Sequence, residues 1–497
     1  MKNDLFIGVD FGTQGVRVGV VNMFGNIITV KESQYSISYP CSGWAIQDSR
    51  DWWNSFRKAM NFCINKLTKE QKNKLKSISV CATSSTVLPV DREGKALDYA
   101  IMWMDIRAKE QADRINATEH EVLKYCGGEV SAEWFIPKIL WIKENKPKVY
   151  NEAYKIVEEL DYINYKLTGK WVASKCNVVC KWNYIDGEGF NDEYMMKIGL
   201  EDYKDKIVTE VVPIGQVIGN IKPEIAKSLG IDEIPVVQGG IDAHIGMIGM
   251  GVVTPGKMAT IMGTSFVQLL FTESKLSIGG IWGPYTGAMI EGLTLLEAGQ
   301  ISAGSIVKWY QNLFNITEDD AYTVLKEEGL STSIGSNGVR ALDFFQGNRT
   351  PYKDSYAKGV FYGLTLNHKR CHIYRAILES VAFGTKNIID NFERNGVSVD
   401  NIVACGGVTN DLLWMQIISD VTGKEIIVNE NTNYGTILGG SILGATAVNV
   451  YNTLLEASLN MTHEKEKIKP DLRATKLYKK PYKEYLNLYK GLKNVGL

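Results

Sequence analysis

The 497-residue sequence has no apolar run that approaches the ~18 residues needed to cross a bilayer. It also lacks an excess of charge of either sign, since 55 Lys and Arg face 56 Asp and Glu. The charge balance therefore gives no indication of a nucleic-acid partner or of an anionic membrane surface. The first residues enter a strand pattern directly, without the basic region, apolar core and cleavage site of a signal peptide. We therefore expect a protein of the cytoplasm that uses neither nucleic acid nor a membrane.

Closely spaced cysteines are also scarce. Among the eight cysteines, Cys176 and Cys180 stand close together, and no second pair has the spacing of metal ligands. We therefore interpret both as buried thiols in a reduced protein.

The chain is too long for one hydrophobic core, because cores stop growing near ~250–300 residues. Two segments share one pattern of strand, Gly-Thr turn and strand. The first pattern runs over residues 5–21 and the second over residues 257–271. A hairpin repeated about 250 residues later predicts two related halves with a cleft between them.

The first hairpin carries an acid and a glycine turn. A predicted apolar strand over residues 5–11 places Asp10 near its end, and Gly12, Thr13 and Gln14 follow. Glycine N–H groups can hold phosphate oxygens, and a carboxylate can hold Mg²⁺ directly or through water. The alternative is a plain hairpin turn that needs glycine for a positive φ.

A second acid follows a predicted strand over residues 234–237. Gly239 and Gly240 end this strand, and Asp242 comes next. An acid just past a strand in an α/β domain commonly lies at a ligand crevice. The alternative is a helix N-cap. His244 is interpreted as a polar neighbour on the substrate side.

Two further glycine turns can each be interpreted as a ligand-binding turn or as a turn without a ligand. Gly263 and Thr264 could form a phosphate-holding turn, and Gly406 and Gly407, with Asn410, could let a nucleotide lie on the backbone. A tight turn without a ligand is the alternative for each.

An aromatic, an acid and a guanidinium stand within five residues at Trp103, Asp105 and Arg107. A Trp face can stack on a sugar ring, and Asp with Arg offers an acceptor and a donor for hydroxyl groups. The alternative is a surface ion pair beside a core Trp.

The order and spacing of these pieces resemble the FGGY carbohydrate kinase family over roughly residues 4–490. Residues 359–384 resemble the signature of the family's second domain and follow the segment GNRTP at 347–351. Residues 133–145 resemble the weaker signature of the first domain. The resemblance implies an α/β, two-domain, actin-like (ribonuclease H-like) ATPase fold. We place a sugar and phosphate-loop domain at 1–250, a nucleotide-binding domain at 251–497, and the active site between them.

The resemblance also implies transfer of a phosphoryl group from MgATP to a sugar hydroxyl. Asp242 would be the catalytic base, and Asp10 with Asp242 would hold Mg²⁺. The residues that the resemblance assigns to ATP are Gly12, Thr13, Gln14, Arg17, Gly263, Thr264, Gly304, Gly406, Gly407 and Asn410.

The segment from Thr83 to Pro89, which includes Ser84, is similar to the substrate loop of ribulokinases. Residues 77–90 are predicted as one buried strand that meets this polar cluster. Trp103, Asp105, Arg107 and His244 complete the expected substrate side. We favour a pentulose, with ribulose ahead of xylulose. Other polyols or ketoses, or a non-catalytic actin-like ATPase, are the alternatives. A homodimer is one expectation, because dimers are common in the family.

Overall fold

The computed structural model describes residues 3–494, without the side chains of residues 318–320 and 322. Its strands, in chain order, are β1 (Leu5–Gly12), β2 (Gly15–Asn22), β3 (Ile27–Gln34), β4 (Ile46–Gln47), β5 (Leu75–Ala82), β6 (Val87–Val90), β7 (Ala100–Ile101), β8 (Lys155–Glu158), β9 (Ala173–Ser174), β10 (Val211–Val212), β11 (Val217–Asn220), β12 (Pro235–Ile241), β13 (Gly256–Met262), β14 (Phe266–Thr272), β15 (Trp282–Thr286), β16 (Thr294–Gln300), β17 (Arg340–Leu342), β18 (Val360–Tyr362), β19 (Val399–Cys405), β20 (Glu425–Asn429) and β21 (Glu464–Ile468).

Its α-helices are α1 (Ser49–Lys66), α2 (Lys69–Lys72), α3 (Lys109–Asn116), α4 (Phe135–Asn145), α5 (Pro147–Glu152), α6 (Glu159–Thr168), α7 (Lys175–Lys181), α8 (Asp192–Lys197), α9 (Tyr203–Lys206), α10 (Pro223–Leu229), α11 (Asp242–Gly249), α12 (Gly304–Leu313), α13 (Glu318–Leu330), α14 (Arg370–Arg394), α15 (Leu412–Thr422), α16 (Gly435–Ala447), α17 (Leu454–Met461) and α18 (Leu472–Asn494). None of the helices in the described part of the chain combines the length and apolar character of a membrane span.

Two large mixed sheets share one plan. The first has the order β11-β12-β5-β1-β2-β3, and the second has the order β15-β16-β14-β13-β19-β20-β21. In the first, β1, β2 and β3 form an antiparallel meander, while β1, β5 and β12 run parallel. In the second, β13, β14 and β16 repeat the meander, while β13, β19 and β20 run parallel. The predicted duplication is therefore confirmed, and β15 is an addition at one edge.

The single strand expected over residues 77–90 is wrong. The chain forms β5 in the large sheet and then β6 in a separate four-stranded sheet with β4, β7 and β8. Ser85, with a φ of +62°, lies between them and turns the backbone. Because both strands are buried, their apolar pattern was continuous and hid the break.

Helix α16 comes late in the chain but packs on the first sheet. We call the first sheet with its helices the first unit and the second sheet with its helices the second unit. The predicted boundary at residues 250 and 251 falls between α11 and β13, whereas α16, from the second half of the chain, packs on β1, β5 and α11 of the first unit. The ends of the proposed domains at residues 1, 2 and 495–497 lie outside the described residues. The first unit thus uses a segment from each half of the chain.

Glycines allow α16 to approach its neighbours closely. A Cβ on Gly249 of α11 would lie 1.9 Å from the Gly435 carbonyl oxygen, and one on Gly8 of β1 would lie 2.2 Å from the Ile437 carbonyl oxygen. Real Cβ atoms do not reach such distances, so these two backbones touch α16 only because both residues are glycine. This contact holds the helix that begins with Asp242 against the sheet.

We predict that Gly249→Ala destabilises the protein by about 1–3 kcal/mol, because the added methyl group forces α11 and α16 apart. Thermal unfolding of the purified chain measures the effect. Gly491→Ala is the matched control, since Gly491 also lies in a helix and its Cβ would meet no atom within 4 Å. The control should be neutral or slightly stabilising. An equal unfolding midpoint for both variants would contradict the close helix contact.

Candidate active site

Three polar side chains meet at one edge of the first sheet. Asp10 lies on β1 opposite Cys81 of β5, and Ile241 of β12 lies opposite Ala82 of β5. Because β1, β5 and β12 are parallel neighbours, Asp10, Thr83 and Asp242 all lie at their carboxyl ends. This is the edge at which open α/β sheets bind ligands.

The two acids share an environment that disfavours negative charge. Burial, followed by the charge of Asp242, raises the pKa of Asp10 to about 7. Burial likewise raises the pKa of Asp242 to about 6, although the Ala243 backbone N–H donates to its Oδ1 atom at 2.7 Å. An Arg17 guanidinium nitrogen lies 3.6 Å from Asp10 Oδ2 and offsets the charge in part. A pair of carboxylates with raised pKa values fits Mg²⁺, which prefers oxygen ligands.

The first glycine turn is fixed by side chains from outside it. Gln47 donates to the Thr13 carbonyl at 2.8 Å, and the Trp103 indole N–H lies 3.1 Å from Thr13 Oγ1. The Tyr35 hydroxyl donates to the Gly12 carbonyl. Gln14 remains exposed at the tip. Three side chains from outside the turn thus hold Gly12 and Thr13 in place.

The second glycine turn packs on the start of α12. The Ala303 and Ser305 N–H groups donate to the Thr264 carbonyl, and the Gly304 N–H donates to the Gly263 carbonyl at 3.1 Å. A Cβ on Gly304 would lie 2.5 Å from that same carbonyl oxygen. Gly304 thus permits the close contact between turn and helix, and its predicted phosphate contact stays a prediction.

The third glycine turn combines a close backbone contact at Gly406 with open backbone at Gly407. Gly406 has a φ of +99°, and a Cβ there would lie 2.4 Å from the Met262 carbonyl oxygen. Gly407 has open space around its Cβ position, and it begins the exposed 3₁₀ turn Gly407–Asn410. A flat ligand can therefore approach the backbone at Gly407, beside Asn410.

A cavity of about 210 Å³ lies beside Asp242. Both units contribute to it, because Glu297 and Arg349 come from the second half of the chain. The residues that line it are Thr13, Thr83, Ser84, Ser85, Trp103, Glu133, Trp134, Lys181, Ile241, Asp242, Glu297 and Arg349. Hydroxyl, carboxylate and cationic groups around an aromatic ring suit a small polyhydroxylated ligand.

Sequence reasoning did not assign Lys181, Glu297 or Arg349 to this site. Arg349 lies within the GNRTP segment, whose resemblance could have indicated it. Glu297 is an acid inside the otherwise buried strand β16, which is also a detectable signal. Lys181 ends the short helix α7, and no sequence pattern distinguishes it.

Buried Lys138 positions the two loops that carry the predicted sugar contacts. Its Nζ atom donates to the carbonyl of Ser85 at 2.8 Å and to that of Met102 at 2.6 Å, and it lies 3.1 Å from the Trp103 carbonyl. Burial lowers the pKa of this amine to about 7. One side chain thus fixes Thr83, Ser84 and Trp103 relative to each other.

The prediction that Asp105 and Arg107 contact the sugar is not supported, because neither lines this cavity. Asp105 is buried and accepts from the Ala45 N–H at 2.6 Å and from an Arg107 guanidinium nitrogen at 2.7 Å. The Arg107 guanidinium also lies 3.8 Å from the centroid of the Trp44 ring. The ion-pair alternative fits this geometry, although the pair is buried rather than on the surface.

His244 is buried behind the cavity wall. Its Nδ1 atom lies 3.4 Å from Cys176 Sγ, and its Nε2 atom lies 3.6 Å from Glu297 Oε2. Burial disfavours the charged imidazole, but Cys176 and Glu297 outweigh it and raise the pKa of His244 to about 9. His244 therefore does not line the cavity, but it contacts Glu297, which does.

Family models match both halves of the chain. The model of the N-terminal domain of the FGGY family of carbohydrate kinases matches residues 5–249, and that of the C-terminal domain matches residues 258–448. An FGGY carbohydrate kinase domain-containing protein of Xenopus laevis is 32% identical over 97% of this chain and 96% of its own length. A ribulokinase of Halalkalibacterium halodurans is 30% identical over 98% of this chain and 95% of its own length.

Solved structures share the fold at lower identity. A xylulose kinase of Rhodospirillum rubrum superposes with a TM-score of 0.88, at 22% identity and with 99% of each chain covered. A glycerol kinase of Plasmodium falciparum, solved with ADP, gives 0.87 at 22% identity and 98% of each chain. The expected two-domain α/β fold is thus confirmed. The chain belongs to the FGGY family of carbohydrate kinases, and it is an ATP-dependent sugar kinase.

Proposed function

We propose that this kinase phosphorylates a pentulose, with ribulose favoured ahead of xylulose, and that Asp242 removes the proton from the reacting hydroxyl. The observation that carries the proposal is the cavity beside Asp242, where Thr83, Ser84 and Trp103 face Glu297 and Arg349 across the two units. A sugar held there would have a carboxylate within reach of one hydroxyl.

The residues at the cavity would have separate roles in binding and proton transfer. With its pKa raised by burial to about 6, Asp242 is a carboxylate at neutral pH and a stronger base than an exposed aspartate. Thr83 and Ser84 offer hydroxyl groups to the sugar, and Trp103 offers a ring face. Lys138 holds the two loops that carry these groups, so these loops would lose little conformational freedom when the sugar binds.

Bound MgATP would supply the phosphoryl group and the charge that neutralises the developing oxyanions. Asp10 and Asp242 would hold the metal, and the rest of the nucleotide would lie on residues from both units. These residues are Gly12, Thr13, Gln14, Arg17, Gly263, Thr264, Gly304, Gly406, Gly407 and Asn410. Because the parts come from two units, approach of the units would exclude water from the reacting groups.

The preference for ribulose has two supports. The segment from Thr83 to Pro89 is similar to the substrate loop of ribulokinases, and a protein named ribulokinase is 30% identical over nearly the whole chain. Xylulose, glycerol, erythritol and deoxyhexuloses are the alternative substrates. A change of one hydroxyl or methylene group alters binding by only a few kcal/mol, so a measurement must decide.

A non-catalytic ATPase of the same fold is the second alternative. Such a protein has no need of a polar cavity beside Asp242.

We also propose that the enzyme works in the cytoplasm. This is supported by the eight cysteines, all of them in the described part of the chain, because none of them forms a disulfide.

We predict that MgATP-dependent ADP release is fastest with D- or L-ribulose in a panel that includes D- and L-xylulose, glycerol, erythritol, L-fuculose and L-rhamnulose. A coupled assay with equal sugar concentrations measures this order. A clear preference for glycerol or a deoxyhexulose would reject the pentulose, and ATP binding without turnover on any sugar would favour the non-catalytic alternative.

We predict that Trp103→Ala raises the KM for the sugar by about 10-fold, equivalent to ~1.4 kcal/mol, and leaves the KM for ATP less affected. Arg107→Lys should instead leave the sugar KM near the wild-type value. It should lower stability by roughly 1–3 kcal/mol, because a buried carboxylate loses a well-aligned donor.

Steady-state kinetics and thermal unfolding of both variants provide the comparison. If Arg107→Lys raised the sugar KM as strongly as Trp103→Ala, the placement of Arg107 outside the substrate site would be wrong.

A further inference from the structure

A cluster of two thiols and one imidazole lies behind the active-site cavity. Helix α7 places Cys176 and Cys180 one turn apart, and the first turn of α11 places His244 against them. The His244 Nδ1 atom lies 3.4 Å from Cys176 Sγ and 3.9 Å from Cys180 Sγ. All three side chains are buried, and their ligand atoms lie within 4.8 Å of one another.

These distances fit a tetrahedral transition-metal ion. With Zn–S bonds near 2.3 Å and Zn–N bonds near 2.1 Å, tetrahedral geometry separates sulfur and nitrogen by about 3.6 Å. The two observed separations bracket that value. Spacing along the sequence hid the set, because its third member stands 64 residues after Cys180 and only folding brings it near.

The second ring nitrogen of His244 gives an independent indication. Metal-binding histidines usually direct their other ring nitrogen at a carboxylate or carbonyl, which fixes the tautomer and the ring orientation. Here His244 Nε2 lies 3.6 Å from Glu297 Oε2, and Lys181 Nζ lies 3.3 Å from the same oxygen. The imidazole is thus held with Nδ1 towards both sulfurs.

We propose that Cys176, Cys180 and His244 bind a thiophilic divalent ion of the zinc class, separate from the Mg²⁺ of the reaction. Two thiolates and an imidazole select zinc over magnesium, because magnesium prefers oxygen ligands. Three protein ligands leave the fourth tetrahedral position to a water molecule or another small ligand.

A metal ion at this site would stabilise the two helices that carry Lys181 and Asp242. Helix α7 ends at Lys181, which lines the cavity, and α11 begins at Asp242. A metal ion that joins these two helices would fix Asp242 relative to Lys181 and Glu297. The fit between α7 and β12 is already close, since a Cβ on Gly240 would lie 2.8 Å from Cys176 Cβ.

The test uses the full chain, reduced and free of any affinity tag, after removal of metal by a chelator. We expect added Co²⁺ to give the intense sulfur-to-cobalt charge-transfer band and the visible bands of a tetrahedral site. Elemental analysis of protein that was never chelated should find about one zinc ion per chain. Zinc should also raise the thermal midpoint of the metal-free chain.

Two variants assign the sulfur ligands, and two more serve as a control and as a test of Glu297. Cys176→Ser and Cys180→Ser should each lose most of the charge-transfer band, whereas Cys126→Ser should keep it, because Cys126 is a buried thiol outside the cluster that donates to the Leu123 carbonyl. Glu297→Gln should retain the band with about 10–100-fold weaker cobalt affinity.

Results on the wild-type chain decide the proposal even if the serine variants do not fold. A wild-type protein with reduced thiols that contains no zinc and gives no sulfur-to-cobalt band would overturn it, and the cluster would then be a set of thiol–imidazole hydrogen bonds. Persistence of the band in folded Cys176→Ser and Cys180→Ser would also overturn it, since the ion would then bind elsewhere.

Discussion

Parallel strands bring two carboxylates, Asp10 and Asp242, to one edge of a sheet, and the proposed active site depends on this pair. Burial makes the negative charge of each acid harder to form, and the charge of Asp242 further raises the pKa of Asp10. The rise in the pKa of Asp10 from 3.8 to about 7 corresponds to roughly 4 kcal/mol. This cost to folding is complete above pH 7, and it disappears as the pH falls towards the pKa of the unfolded chain.

Two features of the surrounding structure act on the two acids. Arg17 offsets part of the charge of Asp10 from the neighbouring strand. The close contact of α16 with β1 and α11 fixes the backbone on which both acids stand. A cation bound by both acids would stabilise the folded protein and would also neutralise charge during phosphoryl transfer. Cation binding and folding would therefore be linked. Residues with strongly shifted pKa values are common in the active sites of enzymes.

Sequence reasoning predicted the parts of the fold that local patterns encode. The duplicated hairpin, the acids at strand ends and the glycine turns are all readable from short segments. It did not predict contacts between distant segments. Helix α16 packs in the first unit, Arg107 packs against the rings of Trp44 and Trp141 outside the cavity, and Glu297 reaches the cavity from the second unit. These placements depend on tertiary packing, and no local pattern distinguishes a buried ion pair from a sugar contact.

The most direct measurement is the turnover of Asp242→Asn at saturating MgATP and sugar, with binding of both ligands measured separately. We expect that both ligands still bind and that kcat falls by ~10²–10⁴ or more, the range for loss of a general base. Asp113→Asn, at an exposed position on α3, is the matched control and should keep normal turnover. Near-normal turnover of Asp242→Asn would contradict the assignment of Asp242 as the base.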